Sequence, residues 1–155
     1  MALKKGDQAP SFSLFNTEKK EVSLANFEGK NLVILFFPLA FTSVCTAELC
    51  EMRDRISVYA SLNAEIVGIS VDSLFTLGKF KEELNLPFDL LSDFNKETSA
   101  AYGSLYENFV LGMKGVSKRS AFIVDAGGKI QYAEVLEDAG QVPSFASMKE
   151  VLAGL

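Results

Sequence analysis

Two cysteines and a complete lack of histidine define the chemistry that this 155-residue chain can offer. Without histidine, a Ser-His-Asp triad, a Cys-His dyad and a histidine-containing zinc site are all excluded. Cys45 follows an apolar run at residues 31–37 and precedes a segment of helical periodicity. We therefore expect it in the first turn of a helix, beyond the carboxyl end of a buried strand. The unpaired N–H groups and positive dipole end found there favour a nucleophilic thiolate. The alternative is a small buried residue.

The elements that must position this thiol alternate between strands and helices. Continuous apolar runs of strand length predict strands buried on both faces. Apolar residues that recur at every third and fourth position predict amphipathic helices. The alternation predicts an α/β fold, with a central mixed sheet, helices on both faces and an N-terminal hairpin. The expected strands are residues 12–14, 22–24, 31–37, 65–71, 88–91, 120–125 and 129–135. Helices are expected at residues 43–59 and 144–152, and two more should begin after Asp72 or Ser73 and after Asp93.

Composition and charge narrow the classes of function. The chain is 48% hydrophobic and 23% charged, as is typical of a globular protein, and no linker or repeat divides it, so we expect one domain over residues 1–155. A net charge of −5 argues against nucleic acid as the main ligand. The N-terminus lacks a signal-peptide core, and the longest apolar stretch, residues 32–41, is too short to span a membrane. These features predict a soluble, cytoplasmic protein whose cysteines are either buried or chemically active.

The residues around Cys45 resemble a known active-site signature. The pattern Pro38-x-x-x-Thr42-x-x-Cys45 is similar to that of the peroxiredoxins, thiol peroxidases with a thioredoxin-like fold. Arg119 lies at the start of a predicted strand, where this family places its second active-site arginine. The resemblance runs from Gly6-Asp7-x-Ala9-Pro10 to the C-terminal helix and so covers essentially the whole chain.

Two branches of this family share features with the start of the predicted helix. Cys50, five positions after Cys45, resembles the Q-type (bacterioferritin-comigratory) branch. Residues 38–42 together with Glu48 look more like the one-cysteine alkyl hydroperoxidase-E branch. The residues alone leave the choice between these branches open.

The resemblance implies that a thiolate at Cys45 attacks the terminal oxygen of a peroxide, from which hydroxide or alkoxide leaves. Charge then moves from sulfur across the O–O bond, so fixed donors aimed at both oxygens catalyse the step. Arg119 would supply a permanently charged fork of donors. The Thr42 hydroxyl would bridge sulfur and peroxide. Pro38, which has a rigid ring and no N–H, would shield the sulfur from water.

Further residues would support this pocket. The backbone N–H groups of Val44 and Cys45 would complete it, and Glu48, one helical turn beyond the thiol, would hold the guanidinium of Arg119. Arg53 is expected to join the same network. Taken singly, each predicted site residue has a simpler interpretation as a helix cap, a strand end or a surface charge.

Cys50 is the predicted resolving thiol, which would convert a sulfenic acid on Cys45 into a disulfide. In an ideal helix, residues five apart have Cα atoms separated by roughly 8.6 Å. A disulfide needs about 4.4–6.8 Å. The first turn or two of the helix must therefore unwind before the bond forms. If Cys50 is instead an inert helix residue, an external thiol must resolve Cys45.

The expected substrates are hydrogen peroxide and small organic hydroperoxides, and the expected reductant is thioredoxin, glutaredoxin or a similar dithiol. No metal, flavin, haem or other cofactor is implied, and the chain is expected to be a monomer or a homodimer. Three alternatives remain. A thiol–disulfide oxidoreductase favours C-x-x-C, whereas this chain has C-x₄-C. A non-catalytic thioredoxin-fold binding protein would have an unreactive Cys45. A metal site is the weakest alternative, because structural zinc takes four ligands.

Overall fold

A computed structural model describes residues 3–155 of the chain. The strands and helices follow one another much as the hydrophobic pattern predicts. The strands are β1 (Ser13–Asn16), β2 (Glu21–Ser23), β3 (Asn31–Phe36), β4 (Ala64–Ser70), β5 (Asp89–Ser92), β6 (Ser120–Val124) and β7 (Ile130–Val135), and the α-helices are α1 (Ser43–Asp54), α2 (Ile56–Ser61), α3 (Leu74–Leu84), α4 (Glu97–Ala101) and α5 (Phe145–Ala153).

The seven strands found within residues 3–155 lie in one mixed sheet, in the order β2-β1-β5-β4-β3-β6-β7. The three central strands β3, β4 and β5 run parallel to one another. An antiparallel hairpin extends the sheet at each side, with β1 pairing to β5 and β6 pairing to β3. The carboxyl ends of the parallel strands therefore share one edge of the sheet, where sites form in open α/β folds.

Both faces of the sheet are covered, but unequally. Successive side chains of a strand point to opposite faces, so Val33 of β3 packs in one layer and Ile34 packs in the other. Helices α1, α2, α3 and α5 all contribute to the first layer. The second layer is closed by the N-terminal segment, by the 3₁₀ helix Leu24–Phe27 and by Tyr102 at the end of α4. Because both faces are covered, every residue of β3 is buried.

The helix expected over residues 43–59 is broken in two. Its apolar face is continuous, since Met52 of α1 and Tyr59 of α2 pack in the same core layer. The helical dihedrals fail at Arg55, where φ is −105° and ψ is 8°. The N–H of Arg55 bonds the carbonyl of Met52, three residues back, at 3.1 Å. This tighter turn ends α1 just before α2 begins at Ile56.

The predicted cap of α3 is confirmed, and Asp93 serves α4 from three positions before its N-cap, Lys96. Ser73 accepts a hydrogen bond from the N–H of Thr76 at 3.1 Å and so caps α3. The carboxylate of Asp93 accepts from the N–H groups of Thr98 and Ser99 at 3.1 and 2.6 Å. Polar side chains thus satisfy helix N–H groups that have no intrahelical partner. No helix within residues 3–155 combines the length and the apolar character of a membrane span.

Candidate active site

The loop after β3 delivers Cys45 to the first turn of α1. Thr42 occupies the position before the helix with an extended backbone, φ −94° and ψ 153°. The first helical bond runs from the N–H of Thr46 to the carbonyl of Thr42 at 2.9 Å. The N–H groups of Val44 and Cys45 come ahead of this bonding pattern and face the end of the helix. The predicted placement of Cys45 is therefore what the structure shows.

Arg119 reaches the thiol because of sheet register. It directly precedes β6, whose Ser120 lies opposite Phe36 at the end of β3. Its Nη2 donates to the sulfur of Cys45 at 3.1 Å, and its Nη1 donates to Oε1 of Glu48 at 2.6 Å. The side chain is only 2% exposed. A charged donor is thus held against the buried sulfur.

The third donor of Arg119 has a partner that sequence reasoning missed. Its Nε donates to the backbone carbonyl of Ala139 at 2.9 Å. That carbonyl lies in a turn held by Asp138, which accepts from the N–H of Gly140 at 2.9 Å. Any residue type can supply a backbone carbonyl, so the identity of residue 139 could not predict this contact. The sequence indicated only a turn, through its Asp-x-Gly pattern. With three directions satisfied, the guanidinium cannot rotate freely.

Two groups that can carry a negative charge, Glu48 and Cys45, both contact Arg119, which is the cation at this site among the described residues. Burial raises the pKa of Glu48 from 4.5 to about 7 against the opposing effect of Arg119. Burial would lower the pKa of Arg119, but Glu48 and Cys45 together hold it above its ordinary value. Oε2 of Glu48 has no hydrogen-bond partner among the described residues. When Glu48 is protonated, it no longer neutralises Arg119, whose positive charge then acts on the sulfur of Cys45.

The variant Glu48→Gln is expected to flatten part of the pH dependence of stability. The folded-state pKa, about 7, lies above the ordinary value of 4.5, so the folded protein keeps a proton that the unfolded chain releases. This contribution to the free energy of unfolding is fully present below pH 4.5 and is lost as the pH rises towards 7. Urea unfolding of both proteins at about pH 5 and about pH 8 measures it. If the free energy of unfolding changed equally between the two pH values in both proteins, that result would contradict a raised pKa of Glu48.

Cys45 lies in an open cavity of about 820 Å³ that Pro38, Thr42, Val44 and Arg119 also line. Pro38 is buried, and Cys45 is fully buried. The hydroxyl of Thr42 makes no cap bond to α1 and instead donates to the carbonyl of Leu39 at 2.8 Å. Its lone pairs remain able to accept from a ligand. The structure thus brings together four of the predicted side chains and the start of α1.

The mouth of this cavity is apolar, which sequence reasoning did not predict. A loop between α4 and β6 reaches over the site, and its Leu111 is 95% exposed. The sequence does contain an apolar run at residues 109–113, which could have indicated this surface. The run is too short to show the periodicity of a strand or a helix. The apolar residues that line the mouth are Leu39, Phe109, Val110, Leu111 and Met113.

Two further predicted residues lie on α1. Cys50 is half-buried, and it and Cys45 are both free thiols, as expected for two positions on an intact helix. Arg53 does not join the Glu48 network, so that prediction is wrong. It donates to the carbonyl of Leu84 at 2.6 Å and to Asp54 at 3.0 Å. Five residues of helix turn Arg53 about 140° away from Glu48.

Within residues 3–155, no group of three or more Cys, Asp or Glu side chains comes together in a way that could hold a metal ion.

Comparison with known proteins agrees with this geometry. The model of the AhpC/TSA family matches residues 5–133. The chain is 37% identical to peroxiredoxin Bcp of Bacillus subtilis, over 84% of this chain and 83% of that protein. It is 35% identical to peroxiredoxin Bcp of Escherichia coli, over 84% of each. The crystal structure of peroxidoxin BcpB from Mycobacterium tuberculosis superposes with a TM-score of 0.82 at 29% identity, over 97% of this chain and 95% of that one.

These relatives confirm the thioredoxin-like fold and resolve the choice of branch, because the Bcp proteins are the Q-type peroxiredoxins. The chain therefore belongs to the AhpC/TSA family and is a Q-type peroxiredoxin, a thiol peroxidase.

Proposed function

We propose that Cys45 is the peroxidatic nucleophile and that it reduces hydrogen peroxide and small organic hydroperoxides. The observation that carries the proposal is the 3.1 Å contact between Nη2 of Arg119 and the sulfur of Cys45. In the step, the thiolate forms an S–O bond as the O–O bond breaks. Sulfur is oxidised by two electrons to a sulfenic acid, and the departing hydroxide or alkoxide takes a proton from solvent.

The surrounding groups have separate roles in this step. Arg119 stabilises the charge that spreads from sulfur to the peroxide oxygens. Thr42, which already donates to Leu39, accepts from the hydroxyl of the peroxide and so orients it. The N–H groups of Val44 and Cys45 add donors at the end of the helix. Pro38 keeps water from the sulfur, as its burial in the wall of the cavity supports.

Glu48 acts on the reaction through Arg119. Its carboxylate holds Nη1 of Arg119 at 2.6 Å, and Nη2 of the same guanidinium then faces the sulfur. A buried cation paired with a carboxylate on one side and a sulfur on the other is held in a single orientation. Glu48 is therefore a positioning residue, because it contacts neither the sulfur nor the space where peroxide binds.

The apolar mouth of the cavity supports organic hydroperoxides as substrates alongside hydrogen peroxide. Phe109 and Met113 line it together with Leu39, and Val110 is 59% exposed. Apolar surface of this kind binds an alkyl group as water leaves it. The polar groups at the base of the cavity then receive the peroxide oxygens.

Cys50 is proposed to resolve the sulfenic acid as an intramolecular disulfide, with release of water. Both cysteines lie on the intact helix α1, so the start of that helix must unwind before their sulfurs meet. The disulfide then takes two electrons from a dithiol partner such as thioredoxin or glutaredoxin. That exchange returns both cysteines to thiols.

The remaining features of the proposal concern the chain as a whole. A single domain over residues 1–155 is sufficient for this chemistry, because the seven strands form one sheet. The two free thiols suit the reducing conditions of the cytoplasm. We propose that the protein acts there as a monomer or a homodimer, which sedimentation at two concentrations distinguishes.

The variant Cys50→Ser tests the resolving step. Reduced protein is mixed with substoichiometric hydrogen peroxide in a stopped-flow instrument, and the products are identified by mass spectrometry. We expect both proteins to oxidise much faster than free cysteine. The unmutated protein should then contain a Cys45–Cys50 link, whereas Cys50→Ser should stop at the sulfenic acid.

Two results would contradict parts of this function. Rapid oxidation without a disulfide in the unmutated protein would show a one-cysteine enzyme and would leave Cys50 as an inert helix residue. Oxidation no faster than that of free cysteine would overturn the assignment of Cys45 as a peroxide-reactive nucleophile.

A further inference from the structure

The loop at residues 38–42, which carries both Pro38 and Thr42, has an unfavourable conformation at its centre. Phe41 has a φ of +67°. Bulky residues rarely adopt this left-handed region, because their Cβ approaches the carbonyl oxygen that follows. Such a conformation persists only where the surrounding structure enforces it. The contacts that hold this loop are therefore part of the site.

Two of these contacts are a hydrogen bond within the loop and an aromatic contact with α3. The hydroxyl of Thr42 bonds the carbonyl of Leu39 at 2.8 Å across the turn. The ring of Phe41 packs on that of Phe80 with centroids 5.1 Å apart, although half of its surface stays exposed. Neither contact links the loop to the polar framework of the sheet.

That link is made by Asp72. Its Oδ2 accepts the N–H of Ala40 at 2.8 Å, across 32 positions of sequence. Ala40 directly precedes the strained residue, so this bond fixes the backbone on the near side of the turn. A carboxylate acceptor makes the bond stronger than one between neutral groups. Asp72 does not line the cavity, and the N–H of Ala40 is its hydrogen-bonded link to the loop.

Asp72 is itself held in place by the carboxyl ends of two strands. The hydroxyl of Ser70, at the end of β4, donates to the same Oδ2 at 2.7 Å. The hydroxyl of Ser92, at the end of β5, donates to the backbone carbonyl of Asp72 at 2.7 Å. Ser70 is fully buried. A chain of hydrogen bonds thus connects the rigid centre of the sheet to the backbone of the loop.

We propose that Asp72 is a positioning residue for the peroxide site, which holds residues 38–42 in the attack-ready shape through the N–H of Ala40. This rests on the proposed roles of Cys45 and Thr42. Without the carboxylate, the loop relaxes at Phe41, and the Thr42 hydroxyl and the first N–H groups of α1 lose their alignment on the peroxide. The same relaxation assists the unwinding that a Cys45–Cys50 disulfide requires.

The test compares two reactions of the same sulfur. Oxidation by hydrogen peroxide needs the aligned donors, whereas alkylation by iodoacetamide needs only a reachable thiolate. We expect Asp72→Ala to slow peroxide oxidation by about 10–100-fold, the size of effect that small misplacements produce. Alkylation of Cys45, measured with Cys50→Ser in both backgrounds, should not slow, because relaxation of the loop that carries Pro38 only opens access to the sulfur. Asp72→Asn should recover most of the peroxide rate, since its amide oxygen accepts the same N–H.

A second carboxylate provides the matched control. Asp125 also accepts backbone N–H groups, from Gly127 at 2.9 Å and Lys129 at 3.0 Å, but in the hairpin between β6 and β7. Asp125→Ala is expected to leave the ratio of peroxide oxidation to alkylation unchanged, even if it lowers the melting temperature. Ser70→Ala, which loosens Asp72 without removing it, should lower that ratio by a smaller factor than Asp72→Ala.

The outcomes separate this inference from the proposed function. Rapid oxidation of the unmutated protein with an unchanged ratio in Asp72→Ala would overturn the role of Asp72 alone. If Asp72→Ala does not fold, an unchanged ratio in Ser70→Ala would overturn the proposal, and a lowered ratio in Ser70→Ala would support it. Slow oxidation of the unmutated protein would contradict the assignment of Cys45 instead.

Discussion

Replacement of Cys45 by serine is expected to reduce peroxide consumption to the uncatalysed background, a loss of about 10³-fold or more. The alcohol does not ionise near neutral pH, so the site loses its anionic nucleophile while Arg119 and the cavity remain. The rate is measured with a peroxide electrode, in the presence of a thioredoxin-type reducing system. Because Cys45 is fully buried and serine is slightly smaller, near-ultraviolet circular dichroism should show an unchanged fold.

Cys50→Ser is the matched control for this loss, because it removes a thiol from the same helix. It should complete its first turnover at the normal rate, since Cys50 takes no part in the attack on peroxide. Persistent turnover in Cys45→Ser would move the nucleophile elsewhere. In a chain with only two cysteines, that result would point to Cys50.

Replacement of Arg119 is expected to have the second largest effect. Arg119→Met removes the donor that lies 3.1 Å from the sulfur and should slow the oxidation of Cys45 by about 10²–10³-fold, as loss of one preorganised donor does elsewhere. Arg119→Lys keeps the charge but cannot serve three acceptors in fixed directions, so it should recover only a small part of the rate. Single-turnover stopped-flow measurements give these rates directly.

Stability and catalysis can be separated at this position. Arg119→Met removes the group that lowers the pKa of Glu48, so the buried carboxyl keeps its proton near neutral pH, and a cost of about 3–5 kcal/mol is expected only at alkaline pH, where the unpaired carboxylate ionises. Adding Glu48→Gln should restore much of the unfolding free energy measured in urea at alkaline pH, because the buried charge is gone. The peroxide rate should stay low in the double variant. Recovery of the rate together with stability would show that Arg119 serves the fold rather than the reaction.

The fold was largely predictable because burial leaves a clear pattern in this chain. The apolar run at residues 31–37 marks β3, which is buried along its whole length between two core layers. The turn that divides α1 from α2 at Arg55 was not predictable. The apolar face continues across it, and the backbone dihedrals and the bond from the N–H of Arg55 to the carbonyl of Met52 record the break.

The amino-acid sequence by itself determined the contiguous part of the site. Pro38, Thr42 and Cys45 lie on one loop and one helix turn, so local geometry alone brings them together once a strand is recognised before them. With no histidine in the chain, a positive charge had to come from elsewhere. Family resemblance pointed to Arg119 as its source.

Only the tertiary structure decided which distant groups meet the thiol. Arg119 is beside Cys45 because Ser120 pairs with Phe36 across the sheet, a register that no local pattern encodes. The carbonyl of Ala139 reaches Arg119, and the carboxylate of Asp72 reaches the loop before α1, in the same way, through contacts between residues far apart in the chain. The error over Arg53 has the same origin. Residue type and spacing show which groups are available, but the direction of each side chain depends on the packing of the whole fold.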